Sequence, residues 1–178
     1  VKSDENFEQS ITDRVGNLDA GRPNLGLLMP VFMCRFFLIS VLEKLREKFG
    51  QLEADKVFYE AFFLAGNEFC EKFVSHEGDV KKFLISLQTS FKDQRLGILQ
   101  LEDIDLNSLY FEVSLLEDVF CSGIQQEEHL LSLSEGFLAG IFSFYFKRIF
   151  EARALSLWNG LNPKSTFEIK PKRSIKSS

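Results

Sequence analysis

The hydrophobic period of this chain switches at Lys92-Asp93-Gln94, and that switch limits the fold more than any other feature. Before it, apolar residues recur at helical spacing; after it, Leu109, Phe111, Val113 and Leu115 alternate with Tyr110, Glu112 and Ser114 as in a strand. Pro30 suits a first helical turn, and Val31, Arg35, Leu38, Leu42, Leu45 and Phe49 lead from it to Gly50, a helix stop. A second helix is predicted from about Leu52 to His76 and a third from an Asp79 cap to about Phe91. Two strands then cover Leu96 to Asp103 and Leu109 to Leu115. A late helix is predicted from about Leu131 to Ala152, and a hairpin joins Ala154–Trp158 to Ser165–Ile169. Helices first, then a ββαββ unit, predict an α+β fold with helices packed on one face of a four-stranded antiparallel sheet.

The chain has 178 residues, 45% of them hydrophobic, enough for one domain with a substantial core. The turn chemistry at Asp19-Ala20-Gly21-Arg22-Pro23-Asn24 sets off an N-terminal arm, residues 1–22, from a body spanning 23–170. Residues 171–178 form a basic tail. Twenty Phe stand beside three Tyr and one Trp, so most of the aromatic bulk has no polar tip to satisfy; it serves either a packed core or an apolar pocket. A net charge of −5 disfavours non-specific attraction to nucleic acid or to an anionic membrane. Cys34, Cys70 and Cys121 lie too far apart for a zinc motif or a small disulfide framework and read as reduced thiols. The apolar run from Leu27 to Leu42 is broken by Pro30 and Arg35, and the run from Phe137 to Phe146 is too short to cross a bilayer. With a polar, acidic start, the expected compartment is the cytoplasm.

No glycine-rich dinucleotide fingerprint follows a strand; Gly136 and Gly140 sit inside a helical pattern, where small residues favour close packing. His76 and His129 have no Gly-x-Ser-x-Gly turn nearby, so no catalytic triad is assigned. His129 is chemically suited to ligate a tetrapyrrole metal, and beside Glu127 and Glu128 it equally suits a solvated loop. Phe137, Phe142, Tyr145, Phe146 and Trp158 are candidates to line a cleft between the late helix and the sheet, with Tyr110 and Tyr145 as hydroxyl anchors. The alternatives for these aromatics are core packing and a dimer seam.

Several motifs carry a family resemblance: Arg22-Pro23-Asn24-Leu25-Gly26, Met29-Pro30-Val31, Tyr59-Glu60-Ala61 with Ala65-Gly66, and Glu135-Gly136-Phe137 with Ala139-Gly140. In these and in its order of elements the chain resembles the vinyl-4-reductase domain family, whose fold is similar to that of the small TRAPP vesicle-tethering subunits. The resemblance implies a metal site built from several cysteines. Only Cys121 is kept; Leu131 or Ser132, Ser156 and Ser165 stand where the others would be. Serine hydroxyls are poor substitutes for thiolates, so the metal is expected to be lost. It further implies a binding module for an apolar small molecule, most plausibly a chlorophyll-type tetrapyrrole or a lipid, acting in assembly or regulation of photosystem II at the periphery of a photosynthetic membrane. Partners so implied are photosystem assembly proteins and a second subunit, in a homodimer or a TRAPP-like heterodimer. The alternatives are a ligand-free interaction subunit and an accessory subunit of a vinyl-tetrapyrrole reductase.

Overall fold

The computed structural model describes residues 10–124 and 131–173. Two short helices, α1 (Ile11–Val15) and α2 (Leu18–Gly21), lie within the arm, and α1 is held to the body because Ser10, Ile11 and Thr12 all donate hydrogen bonds to the Glu68 carboxylate. The long helices α3 (Val31–Phe49) and α4 (Gln51–Phe73) meet at Gly50, whose φ of 83° lies in the left-handed region that favours glycine. Arg46 spans the joint to Asp55 at 2.6 Å. Leu38, Leu42 and Leu45 of α3 pack on Ala54 and Phe58 of α4. Helix α5 (Val80–Asp93) begins where Asp79 accepts the Lys82 backbone N–H at 2.9 Å, the expected cap.

Strands β1 (Ile98–Asp105), β2 (Tyr110–Leu116), β3 (Phe150–Ser156) and β4 (Lys164–Pro171) form an antiparallel sheet in the order β1-β2-β4-β3, and α6 (Leu131–Phe146) links β2 to β3. The final strand therefore inserts between its predecessors and leaves β3 at an edge. Phe111, Val113 and Leu115 of β2, Phe167 and Ile169 of β4, and Phe150 and Ala152 of β3 are buried beneath the helices. The opposite face is polar: Ser114 and Thr166 hydroxyls lie 3.0 Å apart, and Lys164 reaches Glu102. The predicted fold class is the observed one.

Helices α4 and α6 touch backbone to backbone. A Cβ at Gly140 would stand 2.1 Å from the Phe63 carbonyl oxygen, one at Gly136 2.3 Å from that of Tyr59, and one at Gly66 2.1 Å from that of Phe137. The small residues seen in the sequence are what this crossing requires.

Three boundaries differ from the sequence expectation, and one helix face lies where the pattern alone does not place it. The late helix stops at Phe146 rather than Ala152, because Lys147 turns into the left-handed region at φ 51° and residues from Phe150 onward join the sheet. Ser143 anchors that turn, donating to Ala139 O at 2.6 Å and accepting the Phe150 N–H at 2.8 Å. Helix α4 ends at Phe73 rather than His76, since Val74 is extended and the Ser90 hydroxyl caps the Phe73 carbonyl. β1 continues past Asp103 through a bulge between Leu101 and Asp103. The apolar flank of α3 largely faces outward: Leu42 is its fully buried residue, whereas Phe32, Phe36, Phe37 and Val41 are exposed.

Candidate functional site

The polar interior gathers where α3, the loop after β2 and the start of α6 meet. Arg35, which interrupts an apolar run in the sequence, donates to three backbone carbonyls of that loop: Val119 at 2.5 Å, Ser122 at 2.7 Å and Asp118 at 2.9 Å. Beside it the Asp118 side chain is 1% exposed, accepting the Phe120 N–H at 2.8 Å and the Ser134 hydroxyl at 3.0 Å. Burial pushes the Asp118 carboxyl above its ordinary range, against the opposing effects of those two donors, Cys121 and Arg35. Cys121 lies 3.6 Å from the Ser134 hydroxyl, and burial next to Asp118 pushes its thiol up to about 12.

This donor set does not fit the metal implied by the resemblance. Zinc and iron–sulfur clusters need several thiolate or imidazole ligands, and Cys121 is the one thiol kept of the implied set. Ser165, at one of the expected cysteine positions, spends its hydroxyl accepting the Trp158 N–H at 3.0 Å, and Ser156 is exposed. Among the described residues no three His, Cys, Asp or Glu side chains gather as a metal site.

The aromatic candidates separate into distinct places. Phe142 and Phe146 pack with Phe111 and Phe150 in a continuous cluster, and Tyr145 stacks on Phe83 at 3.8 Å with the rings 9° from parallel. Phe137 packs instead against Phe69, Phe91 and Phe120. Tyr110 and Trp158 sit near opposite ends of the sheet: Tyr110 is beside the Phe111–Ile169 pair, and Trp158 bonds to Ser165, which is paired with Leu115. The Tyr110 hydroxyl reaches Glu112 at 3.5 Å, and desolvation together with Glu112 raises its pKa. His129 lies outside the described residues.

Two grooves open elsewhere. One, of about 670 Å³, follows α3 and is walled by Val31, Phe32, Phe36, Ile39 and Ile124, with Arg35 in its lining. The other, of about 840 Å³, runs between α4 and the free edge of β3, past Tyr59, Phe63, Glu135 and Ile149. None of the seven described sequence candidates, Tyr110, Cys121, Phe137, Phe142, Tyr145, Phe146 and Trp158, lines either groove. Sequence reading passed over Asp118, which carries no motif, and took Tyr59 and Glu135 only as marks of resemblance. The one legible signal was Arg35, a charge inside an apolar run, which requires partners when it folds inward.

No family model and no curated protein matches the sequence. Among solved structures, the phenol-responsive sensory domain of the transcription activator PoxR, bound to phenol, is similar with a TM-score of 0.63 at 14% identity, over 82% of this chain and 76% of that one. A trafficking protein particle complex subunit 3 from Naegleria fowleri, covalently bound to palmitic acid, has a TM-score of 0.62 at 9% identity, over 83% and 98%. A vinyl-4-reductase family protein from Methanocaldococcus jannaschii has a TM-score of 0.59 at 19% identity, over 96% and 100%. At these identities the likeness is one of fold: the chain adopts the architecture shared by a ligand-sensing domain, a vinyl-4-reductase family protein and a TRAPP subunit.

Proposed function

We propose that this chain is a small-molecule-binding module that seats an apolar ligand in the groove along α3. The observation that carries the reading is the groove itself. Its walls are mainly aliphatic and aromatic; of the two charges in its lining, Arg35 is committed to three loop carbonyls and the exposed Glu43 pairs with Arg46 at 3.7 Å, so an uncharged or weakly polar molecule suits it best. The fold likeness to a domain holding phenol and to a subunit holding palmitic acid supports the same class of ligand. A chlorophyll-type tetrapyrrole, with a place in photosystem II assembly, is the narrower form of the proposal and rests on the sequence resemblance alone. So does a role for His129 as a metal-facing ligand, which an unchanged pigment affinity in His129→Ala would remove.

The test combines native mass spectrometry of protein from a pigment-producing host with titrations of phenol, palmitate and a chlorin. A recurring adduct, or saturable binding weakened at least about tenfold by Ile39→Asp, is expected, since an introduced buried charge opposes apolar contact. Binding of none of the three probes, or binding indifferent to Ile39→Asp, would overturn the proposal.

A second reading, a dimeric interaction subunit, is favoured by the outer face of α3. Phe32 is 74% exposed and Phe36 and Phe37 just over half. At ~200 Å² per ring these three supply roughly 350 Å². Leu25, Leu27, Leu28, Met29, Val31 and Val41 are exposed around them, raising the face to the order of the ~800 Å² per partner of a stable interface. The Ser40 hydroxyl turns back onto Phe36 O at 2.7 Å and so presents no unmet donor to a partner helix. A second copy of this chain, α3 against α3, is the occupant this face suits.

A further inference from the structure

The groove beside β3 has a chemistry unlike that of the α3 groove. As an edge strand, β3 directs the backbone groups of Phe150, Ala152 and Ala154 away from β4, and Pro171, opposite Phe150, has no N–H to offer it. The outward N–H groups are already used. Phe150 donates to Ser143 Oγ at 2.8 Å, Ala154 donates to Glu135 Oε1 at 2.9 Å, and the Ala152 backbone hydrogen-bonds the Tyr59 hydroxyl. In an antiparallel strand the carbonyl of each residue points the same way as its N–H. With the Phe150 and Ala154 N–H groups engaged, this wall presents the carbonyls of Phe150, Ala152 and Ala154 along the groove.

Charge sharpens the contrast. The exposed residues of the lining carry both signs: Lys56, Glu60, Arg153 and Lys172. Among its half-buried residues, Glu168 and Lys170 pair with each other at 2.8 Å, which leaves Glu135 and Glu151 as the inner charges. No basic side chain among the described residues forms an ion pair with Glu135. Burial holds the Glu135 carboxyl above the ordinary range against the opposing effects of the Ala154 N–H and of Arg153 at the groove's exposed side, and Glu135 and Glu151 add to burial in making Tyr59 harder to ionise. Phe63 and Ile149 supply an apolar surface alongside.

We propose that this groove is a second binding site, independent of the α3 groove, for a small flat ligand bearing a cationic nitrogen head, such as an aryl amidine or a benzylic amine. The head lies between the Glu135 carboxylate and the β3 carbonyls, and the ring lies against Phe63 and Ile149.

Benzamidine is the probe that tests it, followed by amide chemical shifts of the whole chain, with benzoate and phenol as controls. Saturable shifts at Phe63, Glu151, Ala152 and Ala154 are expected, with little response to benzoate. Glu135→Gln keeps an acceptor for the Ala154 N–H while removing the charge, and should weaken benzamidine about tenfold, the scale of one charge-assisted hydrogen bond. Ile149→Arg, at an exposed position, should abolish binding by placing a competing cation in the groove, and it decides the matter if Glu135→Gln fails to fold. Absent shifts, shifts confined to α3, equal binding of benzoate, or benzamidine affinity unchanged in the folded variants would each overturn the proposal. Phenol shifts along α3 report on the apolar-ligand reading separately, so failure of one site is distinguishable from failure of the other.

Discussion

Asp118 is a carboxylate in a place that disfavours its charge. The Phe120 N–H and the Ser134 hydroxyl satisfy its oxygens, yet burial dominates and its pKa in the fold lies above the ordinary value. The folded state therefore binds this proton more tightly than the unfolded chain does. Stability from this group is fully present below the unfolded pKa and is lost as pH rises through the folded one. Asp118→Asn keeps an acceptor for Phe120 and removes the titration. Urea midpoints measured from pH ~4 to 7 should fall with rising pH more steeply in the parent than in the variant. Parallel curves would show that Asp118 does not titrate above its unfolded value. What Asp118 contributes in return is position: with Arg35 gripping the neighbouring carbonyls, it fixes the loop that leads from β2 towards α6.

Between elements, the crossing of α4 and α6 sets the architecture. Its glycines are occupied from the other side, by the Tyr59 and Phe63 carbonyls facing Gly136 and Gly140. Gly140→Ala places a methyl group against backbone that cannot swing aside, at the upper end of the roughly 1–3 kcal/mol typical of overpacking. The expected fall in thermal midpoint is roughly 6–12 °C, whereas alanine at the open Gly21, with nothing within reach of its Cβ, should change little. Equal effects at the two positions would contradict the close crossing. This pair was legible in advance because Gly136, Ala139 and Gly140 recur on one helical face. The start of β3 was not, since Phe150 and Ala152 continue an apolar pattern compatible with a helix; the turn at Lys147 and the Ser143 bond to Phe150 override it through tertiary contacts. The candidate site was less legible for a related reason. Phenylalanine spacing shows which residues face inward, but Phe142 in a solid core and Phe36 beside a groove have the same local pattern.

For the molecule as a whole, the unresolved account is the apolar face of α3. The described core closes on itself beneath α4, α5 and α6, so α3 does not need that outer face for its own packing, which Leu38, Leu42 and Leu45 already provide. Among the described residues no helix is long and apolar enough to cross a membrane, so a bilayer span does not absorb it. On the dimer reading proposed above, a second copy would absorb it in an antiparallel pairing that keeps the exposed charges of the last turns, Lys44, Glu47 and Lys48, clear of the Phe32–Val41 stretch. Folding then includes association, and mass action makes the thermal midpoint rise with protein concentration, by roughly 1–3 °C per tenfold for a dimer of chains this size. Phe36→Glu combined with Phe37→Glu places two acids on each side of the seam, where repulsion and desolvation oppose pairing. The double variant should sediment as a monomer with a concentration-independent midpoint while retaining the helical and sheet signals of the parent. A parent that is itself monomeric, with a midpoint indifferent to concentration, would remove the dimer and leave the α3 face to the ligand alone.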